Sequence, residues 1–171
     1  CWTALSAAAL QTKAIRLVSC VTPLTFHWPS VTAKRVASVD DISRGRVILG
    51  VGAGYYEKEF DGYGIPFDPF DIRVQKMEEA VGLIKKLWES NVPLTYKGKY
   101  YTLKDAVLLP KPHQKPHPPI WFGGASNKIV KSVAKYGNGW VPPAAWISPE
   151  GLKKKCKLLS KLTEKAGRDP S

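Results

Sequence analysis

The sequence lacks the features that define several large protein classes. It has no run of about 18 apolar residues, so no membrane-spanning helix is expected. No charged-then-apolar leader opens it, so no secretion signal is expected. Its three cysteines, Cys1, Cys20 and Cys156, are scattered and odd in number. With no CxxC pair and no Cys/His spacing, neither a disulfide scaffold nor a metal site is expected, and a reducing cytoplasm fits. Methionine is nearly absent: Met77 is the only one, and the chain begins at Cys1. The opening CWTALSAAALQTK reads as a helix already under way, with Trp2, Leu5, Ala9 and Leu10 near one face and no cap before them. A fragment, incomplete at both ends, is expected.

Acids are also scarce: 14 Asp and Glu stand against 26 Lys and Arg, a net charge of +12. Such a balance can mark a nucleic-acid partner or an anionic cofactor. Much of the excess, however, sits in LKKKCKLLSKLTEK. There Leu152, Cys156, Leu159 and Leu162 recur at helical spacing, and the lysines fill the opposite, solvated face. Aromatic and basic residues do not interleave as in a single-strand groove, so no nucleic acid is expected as partner. The 171 residues, 44% apolar, suit one globular domain with a sizeable core.

Strand and helix patterns alternate. AIRLVSCV (14–21), RVILGVGA (46–53), PIWFGGAS (119–126) and NGWVPPA (138–144) read as strands. WPSVTAKRVASVDDIS, FDIRVQKMEEAVGLIKKLWES, SNKIVKSVAKYG and SPEGLKKKCKLLSKLTEKAG read as helices. In the second helix Val74, Met77, Val81, Ile84 and Trp88 form one apolar stripe. In the third, Gly137 is expected as the closing residue. In the last, Ser148 and Pro149 suit the N-cap and first position. Residues 91–119 break the rhythm as an insertion. Thr95 to Leu103 reads as a β-hairpin turning at Lys97-Gly98-Lys99, followed by an extended proline-rich surface connector. Four such units imply an α/β fold with parallel strands, either a doubly wound sheet or part of an eight-stranded barrel. A whole barrel needs about 250 residues, so this chain would be roughly half of one.

Ligands of both architectures bind at the C-terminal ends of the strands. Those ends are Ser19 to Pro23, Gly50 to Tyr56, Gly123 to Asn127 and Trp140 to Ala144. The Gly50-Gly52-Gly54 run is not a dinucleotide turn, because the third glycine comes one residue early and YYEKEFDGYGIPFDPFD is no unbroken helix. Nor does a GK[ST] follow, as a phosphate-cradling loop requires. Gly50 and Gly52 read as relief for a crowded strand end, and Gly54, at the mouth, as a ligand contact. GGASN, opening a helix, is either an anion site or a plain N-cap by Ser126; the local pattern leaves both open.

Six blocks in order, VTPLTFHWP, SRGRVILGVGAGYYEKEF, YGIPFDPFDIRVQKMEEAVGLIKKLW, GKYYTL, PPIWFGGAS and YGNGWVP, strongly resemble the bacterial luciferase-like monooxygenase superfamily. Within it the chain is most similar to the branch using the deazaflavin coenzyme F420. The resemblance spans essentially the whole chain. It implies a partial (β/α)8 TIM barrel, about strands three to six with a hairpin insertion, and an oxidoreductase using F420 or, alternatively, FMN. A small organic substrate and, for a full-length chain, a second copy are the implied partners.

The resemblance also implies site residues. A non-proline cis peptide supporting the flavin ring falls at Cys20-Val21, with Thr22 beside it and Ser19-Cys20 as the other register. Backbone at Ala53 and Gly54 and the side chain of Lys58 are implied coenzyme contacts. Gly123, Gly124, Ser126 and Asn127 are implied phosphate contacts. Tyr55 stands where sugar-phosphate dehydrogenases have an acid, which argues against that substrate and leaves Tyr55 as a hydrogen-bond donor or pocket wall. Glu57 and Glu59 are expected to be solvated, as are His113 and His117. The histidine acid of those relatives follows the first barrel strand, outside these residues, and His27 is not its equivalent.

Overall fold

The structure, a computed structural model, describes residues 1–170. Helix α1 (Trp2–Gln11) leads into the short strands β1 (Leu17–Val18) and β2 (Thr22–Pro23). Helix α2 (Pro29–Ser43), strand β3 (Val47–Gly52), and helices α3 (Glu57–Gly62) and α4 (Phe70–Glu89) follow. Then come the hairpin strands β4 (Leu94–Lys97) and β5 (Thr102–Ala106), strand β6 (Ile120–Gly123), helix α5 (Asn127–Tyr136), strand β7 (Gly139–Val141) and helix α6 (Pro149–Lys165). No helix among the described residues is long and apolar enough to cross a membrane.

The main sheet is parallel and runs β1-β3-β6-β7, with β2 also paired to β3. Each strand lies beside that of the next unit in sequence. A doubly wound sheet would reverse direction at a switch point, whereas barrel winding proceeds without reversal. The observed order is that of the barrel. Every residue of β3 is buried, as a strand covered on both faces requires. Val47, Leu49 and Val51 pack under the helices with Val36, Met77, Ile84, Ile120, Phe122 and Ile129. Ile48, Gly50 and Gly52 alternate to the other face.

Of the expected strand over 14–21 only Leu17–Val18 forms, and a second short strand follows at Thr22–Pro23. Ser19 is fully buried, and its hydroxyl donates to the Gly50 carbonyl and accepts from the Gly50 N–H, both at 3.1 Å. A side chain thus stands in for one rung of the ladder. The Cys20-Val21 peptide beyond it is cis, in the first of the two registers considered. A Cβ on Gly50 would lie 1.8 Å from the Ser19 carbonyl oxygen, so the crowding expected there is backbone against backbone.

Four further expectations need correction. Residues Glu57–Gly62 form a short helix rather than a broken loop, because Phe60 anchors them in the core, edge-on to Phe26 at 4.3 Å and Phe67 at 4.7 Å. In α1, Leu10 is exposed, because only the Ala9 side of the helix packs on α2. In α6, Cys156 is exposed, and Leu159 and Thr163 make the packed face. Gly137 closes α5 as expected, in extended backbone. The proline-rich connector is not simply a surface strap. Gln114 inserts its amide between the buried Asp40 carboxylate (2.7 Å) and the Val47 carbonyl (2.8 Å). His117 tucks against the Trp88 ring, with only 10% of its side chain exposed.

Side chains complete the helix ends. The Arg46 guanidinium donates to the carbonyls of Ala9, Thr12 and Ile15, closing α1 against the start of β3. Arg168 does the same for α5, through Val133, Ala134 and Gly137. The hairpin is held from below by Glu79 of α4. Its carboxylate accepts the backbone N–H groups of Lys99 (3.2 Å), Tyr100 (3.1 Å) and Tyr101 (3.0 Å).

Candidate functional site

The C-terminal ends of four strand units converge on one hollow of about 700 Å³. Cys20, Val21 and Pro23 come from the β1–β2 break, and Gly52 to Tyr55 from the end of β3. Gly123 to Ser126 come from the end of β6, and Val141, Pro143 and Trp146 from beyond β7. The volume falls within the range of small-molecule and cofactor sites.

Val21 shapes the floor. Its isopropyl group lies across two glycines on neighbouring strands. A Cβ on Gly52 would meet Val21 Cγ2 at 2.8 Å, and one on Gly123 would meet Val21 Cγ1 at 2.8 Å. The three residues fit as a low apolar surface with no side chain standing above Val21. At the mouth Gly54 takes φ +78°, and its backbone lies against the Phe60 ring. Gly54 thus has a backbone reason for being glycine as well as a place in the lining.

One side of the hollow is aromatic. Phe26, Phe60, Phe70, Tyr55, Trp146 and the His27 ring line it. Tyr55 and Trp146 meet edge-on at 5.2 Å across the rim, both largely exposed. The N-terminus of α5 also lines the hollow. Ser126 is its N-cap, accepting from the Ile129 N–H at 3.2 Å. Cap and anion site are compatible there: the Ser126 hydroxyl keeps its own proton to donate, and the first-turn N–H groups of the helix point the same way. Trp140 Nε1 donates to the Gly124 carbonyl at 2.7 Å and fixes the turn. Among the described residues no lysine or arginine lines the hollow, and Glu59 is its one carboxylate.

The sequence-predicted residues divide cleanly. Cys20, Val21, Ala53, Gly54, Tyr55, Gly123, Gly124 and Ser126 share the hollow. Thr22, Lys58 and Asn127 do not line it. Thr22 alternates to the helix side of its strand, where it is buried with its hydroxyl unpartnered. Lys58 is exposed on α3, the helix missed in the sequence, and its neighbour Glu59 takes the place on the lining. Asn127 turns outward and accepts from Lys155 of α6 at 2.7 Å. The aromatic wall and His27 were not assigned to the site from sequence, although FHW, directly after the strand end at VTPLT, is the signal that could have placed them. Burial first, and then the Arg35 charge, hold the His27 imidazole below its usual range. Among the described residues no group of His, Cys, Asp and Glu could hold a metal ion.

Known proteins agree with this geometry. Residues 1–171 match the family model described as luciferase-like monooxygenase. A phthiodiolone/phenolphthiodiolone dimycocerosates ketoreductase of Mycobacterium tuberculosis is 30% identical over 171 residues, which are 99% of this chain and 44% of that protein. An FMNH2-dependent dimethylsulfone monooxygenase of Pseudomonas putida is 30% identical over 129 residues, 75% of this chain and 35% of that one. The solved structure of an F420-dependent secondary alcohol dehydrogenase, in complex with an F420-acetone adduct, superposes with a TM-score of 0.89 at 32% identity, covering 99% of this chain and 50% of that one. The chain thus spans about half the length of the relatives it matches. With one family model covering its full extent and a parallel sheet wound in the same sense, the chain belongs to the luciferase-like monooxygenase family.

Proposed function

We propose that this chain forms half of a barrel that binds coenzyme F420 and acts as an oxidoreductase on a small organic molecule. The observation that carries the reading is the single hollow joining the low Val21–Gly52–Gly123 floor to the N-terminus of α5. A planar tricyclic ring needs a flat apolar seat, and the floor offers one. An anionic tail needs donors and a positive helix end, and Ser126 with the first turn of α5 offers them. The residues present therefore fit such a group. When bound, it supplies a reversible hydride acceptor on its central ring.

Cys20, Val21, Gly52 and Gly123 would seat the ring, Ala53 and Gly54 would border it, and Gly124 and Ser126 would hold the phosphate. The aromatic wall would exclude water from the reacting face. Tyr55, at the rim, would close the substrate side. FMN, with reduced flavin activating oxygen, is the second reading, favoured by the likeness to a dimethylsulfone monooxygenase. A working homodimer in the cytoplasm, and partners that do not include nucleic acid, complete the proposal. The residues from 91 to 119 would be an insertion in the barrel domain.

The test is competitive protection of a thiol. Cys1, Cys20 and Cys156 are all exposed, and only Cys20 lines the hollow. Saturating F420, or FMN, should slow iodoacetamide alkylation of Cys20 several-fold and leave Cys1 and Cys156 unchanged, as read by peptide mass spectrometry. Equal labelling of all three with and without either coenzyme refutes the reading.

A further inference from the structure

We propose that the aromatic half of the hollow receives an uncharged, largely apolar molecule bearing one carbonyl or hydroxyl oxygen, and that His27 is the side chain that takes this oxygen. The inference rests on the reading above in one respect: the Val21 side of the hollow is given to the coenzyme, leaving the aromatic side for substrate.

Six lining side chains carry a polar atom: Cys20, His27, Tyr55, Glu59, Ser126 and Trp146. Cys20 lies at the floor. The Ser126 oxygen already accepts from the Ile129 N–H and belongs to the anion end. Tyr55, Glu59 and Trp146 are exposed at the rim. That leaves His27, which is half-buried and whose ring nitrogens make no hydrogen bond to another described residue. Its ring stands edge-on to Phe26 at 6.4 Å, and Phe26 leans on Phe60 at 4.3 Å, so the imidazole is set in an apolar frame.

Held below its ordinary pKa, the imidazole is neutral near pH 7, with one donor and one acceptor nitrogen. A hydroxyl matches both, and a carbonyl oxygen matches the donor. A carboxylate does not suit the aromatic side: among the described residues no lysine or arginine lines the hollow, Glu59 repels an anion, and the donors that would take one, Ser126 and the first turn of α5, lie at the end given to the coenzyme.

Histidine NMR tests this directly, because the chain has only three histidines. Cyclohexanone and cyclohexanol should move the His27 imidazole signals and leave those of His113 and His117 in place. His27→Phe should weaken cyclohexanone about three- to tenfold, the loss of one hydrogen bond, with cyclohexane binding unchanged. His27→Gln, which restores a donor, should recover most of the affinity. A larger shift of the His27 signals by cyclohexanecarboxylate than by cyclohexanone, or equal cyclohexanone affinity in wild type and both variants, overturns the proposal. Should His27→Phe not fold, the wild-type titration and His27→Gln decide alone. Coenzyme titrations run in parallel separate the two readings. Ketone binding without coenzyme binding refutes the coenzyme assignment only, and coenzyme binding with a silent His27 refutes this one only.

Discussion

Placing a methyl group on Gly123 probes the floor of the site where Val21 lies against the end of β6. The new Cβ would stand 2.8 Å from Val21 Cγ1 and 3.2 Å from Cγ2, but 3.6 Å from Val21 Cβ. The first distance is an overlap, the second is tighter than most real contacts, and the third is ordinary contact. Gly123→Ala should therefore cost about 1–3 kcal/mol, the usual range for overpacking. Val21→Ala removes both offending methyl groups. Alone it should cost about 1 kcal/mol, because the two methyls are worth ~0.8 kcal/mol each when buried and Val21 is only half-buried. In the double variant the overlap is gone, so its cost should be close to that of Val21→Ala alone. Urea unfolding of the four proteins at constant m-value measures the cycle. Additivity within about 0.5 kcal/mol would show that Val21 and Gly123 are not in contact and would remove the floor from the argument. Coenzyme titration adds a second readout: Gly123→Ala, which pushes Val21 up into the hollow, should weaken F420 or FMN binding, and the double variant should recover part of it.

Other parts of the structure give sharper single tests. Glu79→Gln replaces an acceptor by a donor beneath the N–H groups of Lys99, Tyr100 and Tyr101. It should cost about 1–3 kcal/mol and speed amide exchange at Tyr100 and Tyr101 before the main sheet is affected. Asp40→Ala leaves the Gln114 backbone and side-chain N–H groups without their carboxylate, and should destabilise the fold by a similar 1–3 kcal/mol in urea. Tyr101 is raised from 10.0 to about 12, first by burial and then by the charges of Glu79 and Asp68. A proton bound more tightly in the folded state means stability that is complete below pH 10 and is lost as pH rises toward 12, which phenolate absorbance at alkaline pH would follow. His27 has the opposite sign. Its folded pKa lies below 6.5, so its contribution is present above that pH and fades as pH falls through the folded value. Removing this term in His27→Gln should flatten the stability–pH curve on the acid side.

The one-dimensional pattern carried the alternation of strands and helices, the stripe on α4, the N-caps at Ser126 and Ser148, and the hairpin, because each depends on neighbours within a few residues. It also carried the family likeness and, through it, the position of the cis peptide. What it could not carry depends on which distant residues meet. Periodicity left barrel and double winding open and only the family likeness implied the barrel, because winding is a matter of strand order, which appears once β3 pairs with β1 and β6. The exclusion of Thr22 and Lys58 from the lining is a matter of phase. A strand turns alternate side chains to opposite faces, and a helix turns successive ones about 100° apart, so residues adjacent in sequence need not share a surface. The aromatic wall joins Phe26, Phe60, Phe70 and Trp146 from four separate segments. Phe60 is buried and Phe26 leans on it, while Phe70 and Trp146 stay exposed at the lining, so which rings meet there is set by tertiary contacts that local sequence does not encode.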